Sequence, residues 1–196
     1  MKYKLIDIVR HGEPQGGHVF RGHTDHPLTE LGWQQLTTIC DSDNPPWDVI
    51  VSSPLSRCFE FAQWLSEKHD IALISANELK EFHFGVWENQ SMDKVFKTDF
   101  ERIKGMWSDP MNFASPDGES LLNFEGRVLK AWFGCLTRPE QRLLILCHGG
   151  VIRIILKEVL GLPFTHINRL DVPYACRSQI QVSEQEPYHY QLKYHG

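Results

Sequence analysis

A chain of 196 residues, 41% hydrophobic and 23% charged, is long enough to bury one substantial core and has the balance of an ordinary globular protein. Its formal net charge of −5 argues against a nucleic-acid binder, which gathers Lys and Arg on one face, so an anionic ligand requires a local cationic pocket. The five cysteines are odd in number and scattered, with no CxxC pair, which fits a reduced, cytoplasmic setting.

The chain opens on a strand pattern at Tyr3–Arg10, whose apolar run is broken by Asp7 and closed by Arg10, too short for a signal segment or a membrane span. Asp7 either faces solvent or pairs with a late strand. Thr29 to Cys40 has Leu31, Leu36 and Ile39 at helical spacing, and the turn formers Asp41 to Pro46 make a surface connection to a strand at Asp48–Ser52. Ser53 then reads as an N-cap with Pro54 at the first helical position, opening a helix to Lys68 that carries Phe59, Ala62 and Leu65 on one stripe. A strand at Ala72–Ser75 is followed, much later, by a helix at Leu121–Leu136 with Phe124, Val128, Leu129 and Trp132 inward. A strand at Leu143–Cys147, a helix at Val151–Leu160 and a strand pair at Gln179–Ser183 and His189–Tyr194 complete the chain. The alternation predicts an α/β fold: a three-layer α/β/α sandwich, its mostly parallel sheet covered by helices on both faces, in a single domain over residues 1–196.

Three predicted strands run into chemistry: Arg10-His11-Gly12-Glu13, Ser53-Pro54-Leu55-Ser56-Arg57, and His148-Gly149-Gly150. In an open α/β sheet ligands bind outside the carboxyl ends of the strands, so these segments are expected to converge on one pocket with two Arg and two His. Guanidinium forks and helix N-termini suit a phosphate, and Arg57 in a helix's first turn is awkward unless an anion lies beyond it. No GxxxxGK[ST] loop is present, so a nucleotide triphosphatase is not indicated. The closest pair among the ten histidines, His23 and His26, lies in a turn without i, i+4 geometry, so no metal is expected. Cys147, beside His148 on a strand, is expected on the opposite face as a small buried hydrophobe.

These blocks, with Gly22-His23-Thr24-Asp25-His26-Pro27-Leu28-Thr29, Leu79 to Glu88 and Gly118-Glu119-Ser120 in order between them, resemble the histidine phosphatase superfamily, which also contains the cofactor-dependent phosphoglycerate mutases. The resemblance spans nearly the whole chain. It implies that His11 attacks phosphorus, that Arg10, Arg57 and His148 bind the phosphoryl oxygens, and that Glu81 protonates the leaving alkoxide, with neither metal nor other cofactor. Glu78 and Glu88 are nearby rivals for the acid.

The chain departs from the mutase pattern at two positions. Gly17 stands where an Asn is expected six residues after the nucleophile, and Phe82 where an Arg is expected directly after the acid. The mutases' long basic insertion downstream is also shortened. Loss of those polar groups favours hydrolysis over transfer. The aromatic stock Phe20, Phe82, Phe84, Trp87, Met106, Trp107 and Phe113 is expected to flank a planar leaving group. The blocks Phe84 to Glu88, Trp107-x-x-Pro110 and Pro116 to Ser120, followed by Phe124 and Arg127, most resemble the α-ribazole phosphatase branch, which acts late in cobalamin nucleotide-loop assembly. That implies α-ribazole 5′-phosphate as substrate, with a broad or sugar-phosphate phosphatase, a mutase-like enzyme and a phospho-ligand binding module as alternatives. Residues 89–120 are expected to form a helical and loop cover. The expected partner is a small phosphate monoester, with no nucleic acid and no membrane; the sequence carries no signature of an oligomeric state.

Overall fold

The computed structural model describes residues 3–196. Six strands form one sheet in the order β3-β2-β4-β1-β5-β6: β1 Tyr3–Arg10, β2 Val49–Ser52, β3 Ala72–Ser75, β4 Arg142–Cys147, β5 Arg177–Ser183 and β6 Tyr190–His195. The first four are parallel to one another, while β5 and β6 are added antiparallel at one edge.

Side chains of the central strands alternate between two buried clusters, which places helices on both faces. Ile6, Ile8, Leu143, Ile145 and Cys147 meet α6 (Leu121–Leu136) and α7 (Gly149–Leu160) through Val128, Trp132, Ile152 and Ile155. Val9, Leu144 and Leu146 meet α1 (Glu30–Cys40) and α2 (Ser56–His69) through Leu36, Phe61 and Leu65. Three short helices, α3 Met92–Thr98, α4 Phe100–Ile103 and α5 Gly105–Ser108, lie between β3 and α6. Among the described residues no helix is long and apolar enough to cross a membrane.

Capping explains the helix boundaries. The Thr29 and Ser120 hydroxyls accept from the backbone N–H of Gly32 and Asn123, starting α1 and α6, and Gly161 in the left-handed region ends α7. The expected Ser53-Pro54 start of α2 is corrected. The helix begins at Ser56 after Leu55: the Ser53 hydroxyl accepts from His148 and from the backbone N–H of Leu55, and Asp25 accepts from the backbone N–H of Ser56 at 2.7 Å. In α1 the inward stripe is Gly32, Leu36 and Cys40, so Leu31 (51% exposed) and Ile39 (37%) face out, against expectation. In α2, Arg57, Cys58 and Phe61 are fully buried and Phe59 only partly.

Asp7 pairs with a late strand. Buried on the α1/α2 face, it accepts from Arg177 Nε at 2.9 Å, Gln179 Nε2 at 3.1 Å and Trp47 Nε1 at 2.8 Å. It is a structural carboxylate whose charge and lone pairs are met on both sides.

Candidate active site

Because β2, β4 and β1 are neighbours, their carboxyl ends deliver Ser53, His148 and His11 side by side, and α2 adds Arg57. The rings of His11 and His148 lie 5.2 Å apart edge to face, both buried. His11 Nδ1 is 2.7 Å from the Gly12 carbonyl, which only accepts, so the proton resides on Nδ1 and Nε2 keeps a free lone pair. Gly12 is required for this turn: a Cβ there would lie 2.1 Å from the Gly32 carbonyl oxygen.

Arg10 donates Nη1 to the Val172 carbonyl at 2.6 Å and lies 4.3 Å over the Tyr174 ring, yet its Nε is buried with no partner among the described residues. Arg57 donates to the carbonyls of Gly22 at 2.7 Å and Thr24 at 2.9 Å, and its Nε lies 3.3 Å from His148 Nδ1. His148 therefore accepts at Nδ1 and donates Nε2–H to the Ser53 hydroxyl at 2.7 Å, with both nitrogens engaged. Elsewhere Arg102, Arg127, Arg138 and Arg177 form ion pairs. Arg10, Arg21, Arg57 and Arg153, which line one cavity, have no carboxylate partner among the described residues. Four guanidinium groups without an ion-pair partner among the described residues, around a cavity whose lining carboxylate is Glu81, call for an anion.

Burial, and then the charges of Arg57 and Arg10, push the His11 pKa well below its ordinary 6.5. His148 is lowered well below the same value by burial, then by Arg57, His11 and Arg10. Both imidazoles stay neutral in the folded chain while the unfolded chain gains protons near pH 6.5, so their contribution to stability is complete above that pH and is lost below it. Between pH 7.5 and 5.5 the pair is expected to remove roughly 2–3 kcal/mol, a fall in Tm of about 5–10 °C. A thermal melt at each pH checks this; identical midpoints would refute the neutral pair.

Glu81 lines the same cavity. Its Oε1 accepts from its neighbour's backbone, Phe82 N–H, at 3.0 Å, and its Oε2 from Gly150 N–H, in the first turn of α7, at 3.1 Å. A Cβ at Gly150 would lie 2.3 Å from Glu81 Oε1, so any larger residue there would displace the carboxylate from this position. The rival carboxylates go elsewhere: Glu78 pairs with Lys130, and Glu88 accepts from the backbone of His23 and Phe84. His23 and His26 both take hydrogen-bonding roles, His23 to the Glu81 carbonyl and His26 with Arg21. Cys147 is buried and its thiol is raised well above its ordinary 9.0 by burial; burial likewise pushes Cys58, beside His148, up to about 12. Neither thiol is a nucleophile.

The cavity, about 240 Å³, has a cationic floor and an apolar wall. Of the expected aromatic set, Phe20, Phe82, Phe84 and Met106 line it, joined by Met92, Leu121 and Phe124. Trp87 and Phe113 are instead stacked in the core at 6.2 Å, and Trp107 is exposed beside Phe96. Sequence reasoning missed Arg21, Arg153 and Tyr174. Arg153 had a signal: it is the lone cation in the apolar first turns of α7, one turn beyond Gly149. Arg21 and Tyr174 lie in loops without a periodic pattern to mark them.

The similarities to known proteins agree with this geometry. The chain is 30% identical over 186 residues to the adenosylcobalamin/alpha-ribazole phosphatase of Salmonella typhimurium, covering 90% of each. It is 28% identical over 183 residues to the probable phosphoglycerate mutase GpmB of Yersinia pestis, covering 91% of this chain and 85% of that one. The solved alpha-ribazole phosphatase from Shigella flexneri superposes with a TM-score of 0.81 at 25% identity, covering 96% of this chain and 94% of that one. The sequence pattern of the histidine phosphatase superfamily (branch 1) matches residues 6–193, and with the two histidines and unpaired arginines gathered at the strand ends, the chain belongs to that superfamily.

Proposed function

We propose that this chain hydrolyses a phosphate monoester through a phosphorylated His11, and that its substrate is α-ribazole 5′-phosphate. The observation that carries the reading is a buried neutral imidazole at a cavity where neither its Nε2 nor the arginines have a carboxylate partner among the described residues. A phosphate supplies the missing negative charge, and the imidazole is the nucleophile.

In the first step His11 Nε2 bonds to phosphorus as the ester P–O bond breaks, and Glu81 gives its proton to the departing oxygen. In the second, the Glu81 carboxylate takes a proton from water, the water oxygen attacks phosphorus, the P–N bond breaks and phosphate leaves. Arg10, through its unpartnered Nε, and Arg57 hold the phosphoryl oxygens throughout. His148 joins them by turning its Nε2–H from Ser53 to the phosphoryl group.

The aromatic wall supports a planar leaving group, and the Salmonella relative carries alpha-ribazole in its name. A mutase reading is weakened at Phe82, which is 2% exposed and packed edge-on against Phe84 and Phe124 where the mutases have a cation. A broad or sugar-phosphate phosphatase is the second reading, favoured by Arg153 and Asn168, which also line the cavity and suit hydroxyl groups. Residues 89–120 act as the cover, with Met92 and Met106 reaching the cavity from α3 and α5. Five buried free thiols fit a cytoplasmic enzyme working as a single domain.

The test is hydrolysis of α-ribazole 5′-phosphate beside p-nitrophenyl phosphate, 3-phosphoglycerate and a sugar bisphosphate, with chelator present. A preference in kcat/KM on the order of 10²-fold for α-ribazole 5′-phosphate is expected. A flat profile selects the broad phosphatase, and activity abolished by chelator overturns the mechanism.

A further inference from the structure

Glu81 lies on a stretch with no regular structure, between the 3-10 turns Asn77–Leu79 and Gly85–Trp87, so its backbone carbonyls have no ladder partners. Arg127 of α6 meets them. Its Nη1 donates to the carbonyls of Glu78 at 2.7 Å and Lys80 at 2.6 Å, and its Nη2 to that of Glu81 at 2.8 Å. The remaining donors form a fork on Glu119, Nε to Oε2 at 3.0 Å and Nη2 to Oε1 at 2.6 Å. All five N–H groups are thereby used, which leaves none for a substrate.

The clamp continues past Arg127. Glu119 Oε1 also accepts from the backbone N–H of His83 at 2.7 Å, and the His23 ring donates a second bond to the Glu81 carbonyl at 2.9 Å. Residues 78 to 83 are thus hung from one guanidinium–carboxylate pair, and the carboxylate of Glu81 is left aimed at the first turn of α7.

We propose that Arg127 is a positioning residue for proton transfer: with Glu119 it sets the backbone from which Glu81 reaches the departing oxygen, and it takes no part in phosphate binding. This rests on the reading of Glu81 as the acid. A lysine, with a point charge in place of a planar fork, cannot span the three carbonyls and Glu119 together.

The test compares p-nitrophenyl phosphate, whose leaving group needs little protonation, with an alkyl phosphate, glycerol 2-phosphate, in Arg127→Lys, Glu81→Gln and the double variant. Arg127→Lys is expected to lower kcat about 10–100-fold on the alkyl ester and less than about 5-fold on the aryl ester. KM for both, and inhibition by inorganic phosphate, should change little. The double variant should discriminate between the esters no more than Glu81→Gln alone, since both act through one proton. Glu119→Gln, which keeps the fold of the guanidinium's three carbonyl bonds, should show the same ester dependence more weakly, and it stands in should Arg127→Lys fail to fold. If Glu81→Gln depends on the leaving group while the Arg127 and Glu119 variants lower both esters equally, Arg127 is only a structural brace and this proposal fails alone. If Glu81→Gln itself lowers both equally, the acid reading fails and the positioning role with it.

Discussion

His11→Ala is expected to lower kcat by at least about 10⁴-fold on every phosphate ester, whatever its leaving group, because no P–N bond forms. Phosphate binding should survive in part. Arg10 keeps its stack on Tyr174 and its bond to Val172, and Arg57 keeps its bonds to Gly22 and Thr24, none of which involves His11. Inorganic phosphate should therefore still raise the variant's Tm, while acid-labile phosphoenzyme, trapped from the parent protein by rapid mixing at alkaline quench, should be absent. The fold should tolerate the change, because among the described residues the side chain's only hydrogen bond is the local one to Gly12. Undiminished turnover would sink the mechanism. A variant equally inactive but blind to phosphate would mean that the imidazole is itself a main part of the anion site.

Much of this architecture was legible in the sequence, for reasons that differ from element to element. β1, β3 and α6 fall where the patterns put them: β1 is closed by Arg10, and α6 has a Ser120 cap and one inward stripe through Phe124, Val128 and Trp132. Failures occur where tertiary contacts override local signals. Ser53 reads as a cap in isolation, but the neighbouring strand brings His148 to its hydroxyl and the helix starts later. Leu31 and Leu36 look equivalent along α1, and only the close approach of Gly32 to Gly12 decides which face turns inward. The site shows the same division. His11, Arg10, Arg57 and His148 lie in short motifs at strand ends or helix starts and Glu81 in an ordered block between two 3-10 turns, and all line or adjoin one cavity. Arg127 was visible only as part of an ordered block, because its five bonds reach residues 8 to 49 positions away.

Arg57→Met separates function from stability in the opposite direction to a core mutation. The side chain is 1% exposed, carries a charge with no carboxylate partner among the described residues, and has its pKa lowered chiefly by burial. In the free protein a buried cation without an ion-pair partner is unfavourable, so removing it is a gain; against that, the carbonyls of Gly22 and Thr24 and the Nδ1 of His148 lose their donors, at about 1–3 kcal/mol each. The two effects offset, and the Tm without ligand should move by no more than about 5 °C. Activity has no such offset. Loss of one positioned charge on the transferring phosphoryl group should lower kcat/KM on the order of 10³-fold, equally for alkyl and aryl esters, and should abolish the stabilisation that inorganic phosphate gives the parent protein. The ester independence distinguishes this variant from those acting through Glu81. A large fall in Tm with phosphate stabilisation intact would show that Arg57 braces the loop of Gly22 to Thr24 and holds no phosphate; a small change in Tm with phosphate binding lost identifies a cation kept at the expense of stability for the anion it binds.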